Sequence, residues 1–194
     1  QKYAVTRQGN AIWRNRALFA QIFGYEFVED DVVFGAKVPV DVAAPVPETD
    51  YIVALHATSQ DEKLWPEDMW WALFEKLHGE TGAAIYLPWG NNQERKRAEK
   101  WAEKFNYVKL SPKLNLLQAA RLLEDAHSII GVDTGLLHLA NALNKPTVGI
   151  YLHSNPALTG VQESNISTNV GDVGSCPRVD TVFNAWQYCY AAKI

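Results

Sequence analysis

The stretch Ser128-Ile-Ile-Gly-Val-Asp-Thr-Gly-Leu-Leu-His-Leu139 decides the fold. Five uncharged residues run into an acid, a hydroxyl and a glycine, and apolar residues at helical spacing follow. Ser128–Val132 reads as a strand covered on both faces, and Thr134–Leu143 as the helix that leaves it. Asp133-Thr134-Gly135 then lies at the corner between them. The unpaired N–H groups of a first helical turn favour an anion there. Glycine lets a ligand approach the backbone, and threonine adds a hydroxyl donor. An aspartate would repel phosphate, so Asp133 suits the hydroxyls of an attached sugar. His138, four residues after Thr134, shares its face of the helix. Two plainer readings stand beside these: Asp133 as a simple helix cap, and His138 as a satisfied core histidine.

Working outward, the same alternation repeats. Tyr51–His56 is an apolar run, and Pro66-Glu67-Asp68 opens a helix to about Gly79. Ala83–Leu87 is a strand, Asn92–Phe105 a charged helix and Tyr107–Leu110 a short strand. Asn115 caps a helix carrying Leu116, Leu117, Ala120, Leu122 and Leu123, and Thr147–Tyr151 is a further strand. Strands alternating with helices in this way predict an α/β fold with a doubly wound parallel sheet. A last helix is expected over roughly Asp180–Ala192, after a polar, glycine-rich stretch from Pro156 to Gly174.

Residues 1–50 read differently. Asn10–Phe23 has a helical apolar pattern, with Gly24 as its stop. Residues 25–50 carry Pro39, Pro45 and Pro47 and read as a linker packed along the domain surface, with Val32-Val33-Phe34 as a short strand. The chain starts at Gln1 and reaches its first convincing strand only near Tyr51, so it reads as a piece of something longer. Its 194 residues allow one well-cored domain with an appendage. With 47% hydrophobic and 21% charged residues it has the composition of a soluble globular protein. A net charge of -4 gives no general drive towards nucleic acid or anionic membrane, so phosphate binding must be local. Cys176 and Cys189 have no metal-ligand spacing and read as free thiols of a reducing cytosol. No run approaches the length of a spanning helix.

In open parallel sheets, ligands bind beyond the carboxyl ends of the strands. The loops there are residues 57–65, 88–93, 111–114, 133–135 and 152–156. Thr58 and Ser59 offer hydroxyls, and Lys63 a mobile charge for a diphosphate; a solvated loop over a packed Trp65 is the alternative. Glu94 can accept two hydrogen bonds from a ribose diol or serve only the helix dipole. Leu114 can wall an adenine slot. No metal-ligand pattern, P-loop or dinucleotide fingerprint is present.

Four segments occur in order: His56-Ala-Thr-Ser-Gln-Asp-Glu-Lys-Leu-Trp-Pro66, Leu87-Pro-Trp-Gly90 with Glu94, Leu110-Ser-Pro-Lys-Leu114 and Val132-Asp-Thr-Gly-Leu-Leu-His-Leu139. Together they resemble the lipopolysaccharide heptosyltransferases of glycosyltransferase family nine, from about Asn10 to about Gly160. Glu62-Lys-Leu-Trp-Pro66 departs from the segment ending in Lys-Arg-Trp-Pro of the second heptosyltransferase type, so the first type is the closer likeness. The resemblance implies a B-type glycosyltransferase of two Rossmann-like domains. Residues 1–50 would be the linking helix and interdomain linker, and residues 51–194 the C-terminal, nucleotide-sugar-binding domain, with the N-terminal acceptor domain absent. It implies inverting, metal-independent transfer of heptose from ADP-heptose to a Kdo sugar of the lipopolysaccharide inner core, with no cofactor. Another nucleotide-sugar transferase or epimerase, or a module that only binds nucleotide, is the alternative. By position, Thr58, Ser59, Lys63, Thr134 and Gly135 would hold the donor diphosphate, Glu94 the ribose, Leu114 the adenine, and Asp133 and His138 the sugar. The general base would lie in the absent domain. The setting implied is the cytoplasm, at the periphery of the bacterial inner membrane.

Overall fold

The computed structural model describes residues 3–6, 9–26, 32–47 and 50–192. The remaining parts of the expected 1–50 segment, and residues 193 and 194 of the expected domain, lie outside the described residues. In chain order the elements begin α1 (Ala11–Phe23), β1 (Tyr51–Leu55), α2 (Glu67–Thr81), β2 (Ala84–Leu87), α3 (Asn92–Lys104) and β3 (Val108–Leu110). They continue with α4 (Leu116–Asp125), β4 (Ser128–Val132), α5 (Gly135–Ala142), β5 (Thr147–Tyr151), α6 (Pro156–Thr159), β6 (Ser167–Gly171) and α7 (Val179–Ala191).

The six strands form one parallel sheet in the order β3-β2-β1-β4-β5-β6. The winding direction reverses between β1 and β4, which places the ligand crevice of a doubly wound sheet beyond their carboxyl ends. Leu55 is level with Gly131, so the chain leaves both strands side by side. A Cβ at Gly131 would come 2.6 Å from the Cβ of Leu55, and the glycine in this central strand admits that side chain.

Side chains alternate across the sheet as the period of two requires. Ile52 and Ala54 of β1 face a core shared with Trp70, Leu73 and Phe74 of α2, Trp101 of α3 and Trp186 of α7. Tyr51, Val53 and Leu55 face the other side, against Leu122 and Leu123 of α4 and Leu137 of α5. Trp65 packs edge-on to Trp70 and donates its indole N–H to the Pro177 carbonyl (3.0 Å). That bond ties the loop after β1 to the approach to α7.

The structure departs from the sequence reading at several points, α6 among them, which forms inside the stretch read as polar and glycine-rich. Strand β6 was not expected, because Ser-Thr-Asn-Val-Gly is polar; it forms as an edge strand that pairs only with β5 and is largely half-buried. Val32–Phe34 is not a strand: Val33 is 83% exposed, so no buried face drives it to pair. Helix α2 runs through Gly79 and ends at Gly82, whose φ of 69° makes the left-handed cap.

The segment before β1 does pack along the domain. Val38 and Val46 are buried in the α4 side of the core. The Val38 N–H donates to Glu124 (3.2 Å), and Arg121 donates to the Pro39 carbonyl (3.0 Å). Helix α1 is capped by Asn10, whose amide also donates to the Gly160 carbonyl (3.0 Å). Its inward residues are Ala17 and Ala20, whereas Phe19, Ile22 and Phe23 of the expected apolar stripe are exposed.

Candidate functional site

At the end of β4 the carboxylate of Asp133 gathers groups from three loops. Lys63, on a single turn of 3-10 helix at Asp61–Lys63, donates to its Oδ2 at 2.9 Å. Ser154, in the loop after β5, donates to the same oxygen at 2.6 Å. The other oxygen, Oδ1, faces Nε2 of His138 at 3.9 Å. Thr58, just past β1, donates to the Asp133 backbone carbonyl at 3.0 Å. His138, then Ser154 and Lys63, hold the Asp133 carboxyl far below the ordinary carboxylate range, against a burial that works the other way. Asp133 is therefore an anion at neutral pH.

This geometry removes the plainer readings of Asp133 and His138. Asp133 does not cap α5; the N-cap is Thr134, in extended conformation, and its hydroxyl makes no cap bond. Thr134 is half-buried, and Gly135, which starts α5, is exposed. A Cβ at Gly135 would meet nothing within 4 Å, so the space over the helix start is open. His138 has a 39% exposed side chain beside Asp133 and is not a core histidine. Lys63 is paired with Asp133 rather than simply solvated.

Alongside this cluster runs a cleft of about 490 Å³. Thr58, Ser59, Glu94, Leu114 and Thr134 all line it, joined by Pro88, Trp89, Leu116, Ala119 and Leu136. Its size falls in the range of small-molecule sites. Lys63, Asp133, Gly135 and His138 are not among the lining residues and stand as the neighbouring cluster around Asp133, next in the chain to Thr134. Glu94 accepts from the Gly90 N–H (2.6 Å) and from the side chain of Asn91 (2.7 Å), the residue that caps α3. Glu94 thus braces the loop and helix start that carry it, and an ionised carboxylate keeps acceptor capacity beyond two bonds.

Four contributors escaped the sequence reading. Leu116 was read only as part of the helix after Asn115; it is 69% exposed in the first turn of α4 and lines the cleft. Trp89 sits in a quoted motif yet had no role; it lines the cleft with its indole N–H on the Ser111 carbonyl (2.9 Å). Leu136 follows the glycine of the corner. Ser154 lies in a flagged loop, and only its distance to Asp133 singles it out. Among the described residues no group of three or more His, Cys, Asp or Glu is placed to hold a metal ion, and no helix is long and apolar enough to cross a membrane. Both cysteines are free, Cys189 buried and Cys176 exposed.

Sheet order and cleft define the class: a Rossmann-like α/β domain with a ligand site at its switch point. The chain belongs to glycosyltransferase family 9, the heptosyltransferases, whose sequence pattern matches residues 1–183. It is 38% identical over 160 residues to lipopolysaccharide heptosyltransferase 1 of Escherichia coli K12, covering 82% of this chain and 50% of that protein. The Pseudomonas aeruginosa enzyme of the same name is 37% identical over 158 residues, 81% of this chain and 44% of its own length. The chain thus spans about half the length of the curated relatives it matches. Among solved structures, the E. coli heptosyltransferase WaaC with ADP superposes with a TM-score of 0.76 at 32% identity, covering 95% of this chain and 58% of that one. The same enzyme with ADP-2-deoxy-2-fluoro heptose gives 0.73 at 31% identity, covering 100% and 59%. E. coli heptosyltransferase II shares the fold, with a TM-score of 0.71, at only 17% identity over 96% of this chain and 63% of that one. The likeness to the first type is therefore the closer of the two.

Proposed function

We propose that this chain is the donor-binding part of a heptosyltransferase that transfers heptose from ADP-heptose, by inverting, metal-independent chemistry, to a Kdo sugar of the lipopolysaccharide inner core. One observation carries the reading. The loops after β1, β2, β3 and β4 converge on one cleft, and beside it an ionised aspartate, a lysine and an open helix start stand together. The apolar end, with Leu114, Leu116 and Ala119, suits an adenine ring. Glu94 suits the ribose diol. Thr58, Ser59, Thr134 and Gly135, with Lys63, suit the diphosphate, and Asp133 with His138 the sugar. The related WaaC is named with ADP and with ADP-2-deoxy-2-fluoro heptose, which supports an ADP-sugar donor. The acceptor would be met by residues outside this chain, and because lipopolysaccharide is membrane-borne, the reaction would run at the inner face of the inner membrane.

The chemistry follows from charge. When the anomeric C–O bond breaks, negative charge grows on the leaving diphosphate. Lys63 and the N–H groups at the start of α5 stabilise it where it develops, which lowers the barrier more than it tightens ground-state binding. Lys63→Ala should therefore cut kcat by on the order of a hundredfold or more, the scale of losing one preorganised donor. A thermal-shift panel of ADP-, GDP- and UDP-sugars tests the donor: ADP-heptose should shift the melting temperature most. An equal response to all three would overturn the assignment.

A further inference from the structure

Oδ2 of Asp133 has two hydrogen-bond donors of opposite character. Lys63 Nζ ends a flexible four-carbon stem on a one-turn helix and keeps 22% of its side chain exposed. Ser154 Oγ ends a one-carbon stem on a loop held at both sides. Before it, the Leu152 carbonyl accepts the Gly174 N–H (2.8 Å); after it, Asn155 caps α6 through the Ala157 N–H (2.8 Å). Lys63 can leave Asp133, and Ser154 cannot follow it.

The proposed donor binding needs Lys63 at the diphosphate, and an ammonium that turns its donors towards phosphate oxygens loosens its hold on Asp133. Asp133, with a side chain 12% exposed, would then be a nearly buried carboxylate short of a partner on Oδ2. We propose that Ser154 is a positioning residue: its hydroxyl holds Oδ2 of Asp133 in place when Lys63 turns to the diphosphate, so that Oδ1 stays presented to the sugar. The inference rests on the donor assignment above. It makes the lysine exchange feasible, because the carboxylate keeps one strong bond throughout. His138, near Oδ1, cannot replace it, since it approaches the opposite oxygen at 3.9 Å.

The test is steady-state transfer from ADP-heptose by the natural protein that carries this chain, with Ser154→Ala and Ser154→Thr compared to wild type. Loss of a hydrogen bond to a charged group corresponds to on the order of ten- to a hundredfold in kcat/KM. Ser154→Ala should lose that much, with kcat falling, while Ser154→Thr, which keeps the hydroxyl, recovers most of it. Binding of ADP alone, measured by calorimetry, should weaken in Ser154→Ala by less than kcat/KM falls, because ADP draws Lys63 from Asp133 but carries no sugar for Oδ1 to meet. Wild-type transfer rates in Ser154→Ala would overturn the role. So would a loss of ADP affinity as large as the loss of kcat/KM, which marks a damaged loop rather than a misplaced carboxylate. A wild-type protein that transfers nothing from ADP-heptose overturns the donor reading itself, and the inference falls with it.

Discussion

His56 closes β1 and is buried, with its ring edge-on to Trp101 at 5.1 Å and neither nitrogen in a well-formed hydrogen bond among the described residues. Burial first, then the charge of Arg97, push its pKa down to about 3, with the Pro88 carbonyl acting in the opposite sense. The sign follows from linkage. Between the ordinary histidine value of 6.5 and about 3 the unfolded chain binds the proton and the folded chain does not, so stability rises with pH across that window. Urea unfolding of the wild type should lose roughly 2 kcal/mol more than His56→Leu between pH 7 and pH 4.5. Parallel slopes for the two proteins would remove His56 as the cause. That His56 lies inside was legible, since it ends an apolar run. The Lys63–Asp133 pair was not: its partners are 70 residues apart, and only the level register of β1 and β4 brings their loops together.

At the scale of elements, two glycines four residues apart do different work. Gly131 lies within β4, where an added Cβ collides with Leu55; Gly135 starts α5, where it would meet nothing. Gly131→Ala should destabilise the fold by about 1–3 kcal/mol, as overpacking a core does. Gly135→Ala should leave stability within about 1 kcal/mol of wild type, because its backbone is helical and alanine is a better helix former. The same change should weaken ADP binding at least tenfold if a diphosphate lies over the helix start, since the methyl group then occupies the ligand's space. Chemical denaturation and calorimetry on both variants separate the two effects, and equal stability losses would contradict this division. Strands β1, β2, β4 and β5 were legible because each is an uncharged run, as sheets covered on both faces require; the short edge strand β3 carries Lys109. Strand β6 was hidden because an edge strand needs burial on few positions, and Asn169 is spent on polar bonds to Val161. In the first turn of α4 the apolar Leu116 serves the cleft and not the core.

Over the whole molecule, binding and turnover should come apart. The loops around the cleft leave one sheet with a core on each face, which supports the cleft's shape from within the chain. The described residues that line it contribute one carboxylate, Glu94, and both of its oxygens are held by the α3 start. Asp133 beside the cleft is tied to Lys63 and Ser154 and is held far below the pKa of an effective base at neutral pH. Neither group is placed to take a proton from an acceptor hydroxyl. The relatives are about twice as long as this chain, and the exposed rings of Phe19 and Phe23 on α1 leave apolar surface outside the core. The 194-residue chain alone should therefore bind ADP in calorimetry with one site per chain and yet give no heptose transfer above background. Adding the remainder of the natural protein in trans, or joined to it, should restore transfer. Turnover by the isolated chain would show that a base lies within it and would move the search to the loops around Asp133; failure to bind ADP would overturn the cleft as an ADP site on this chain.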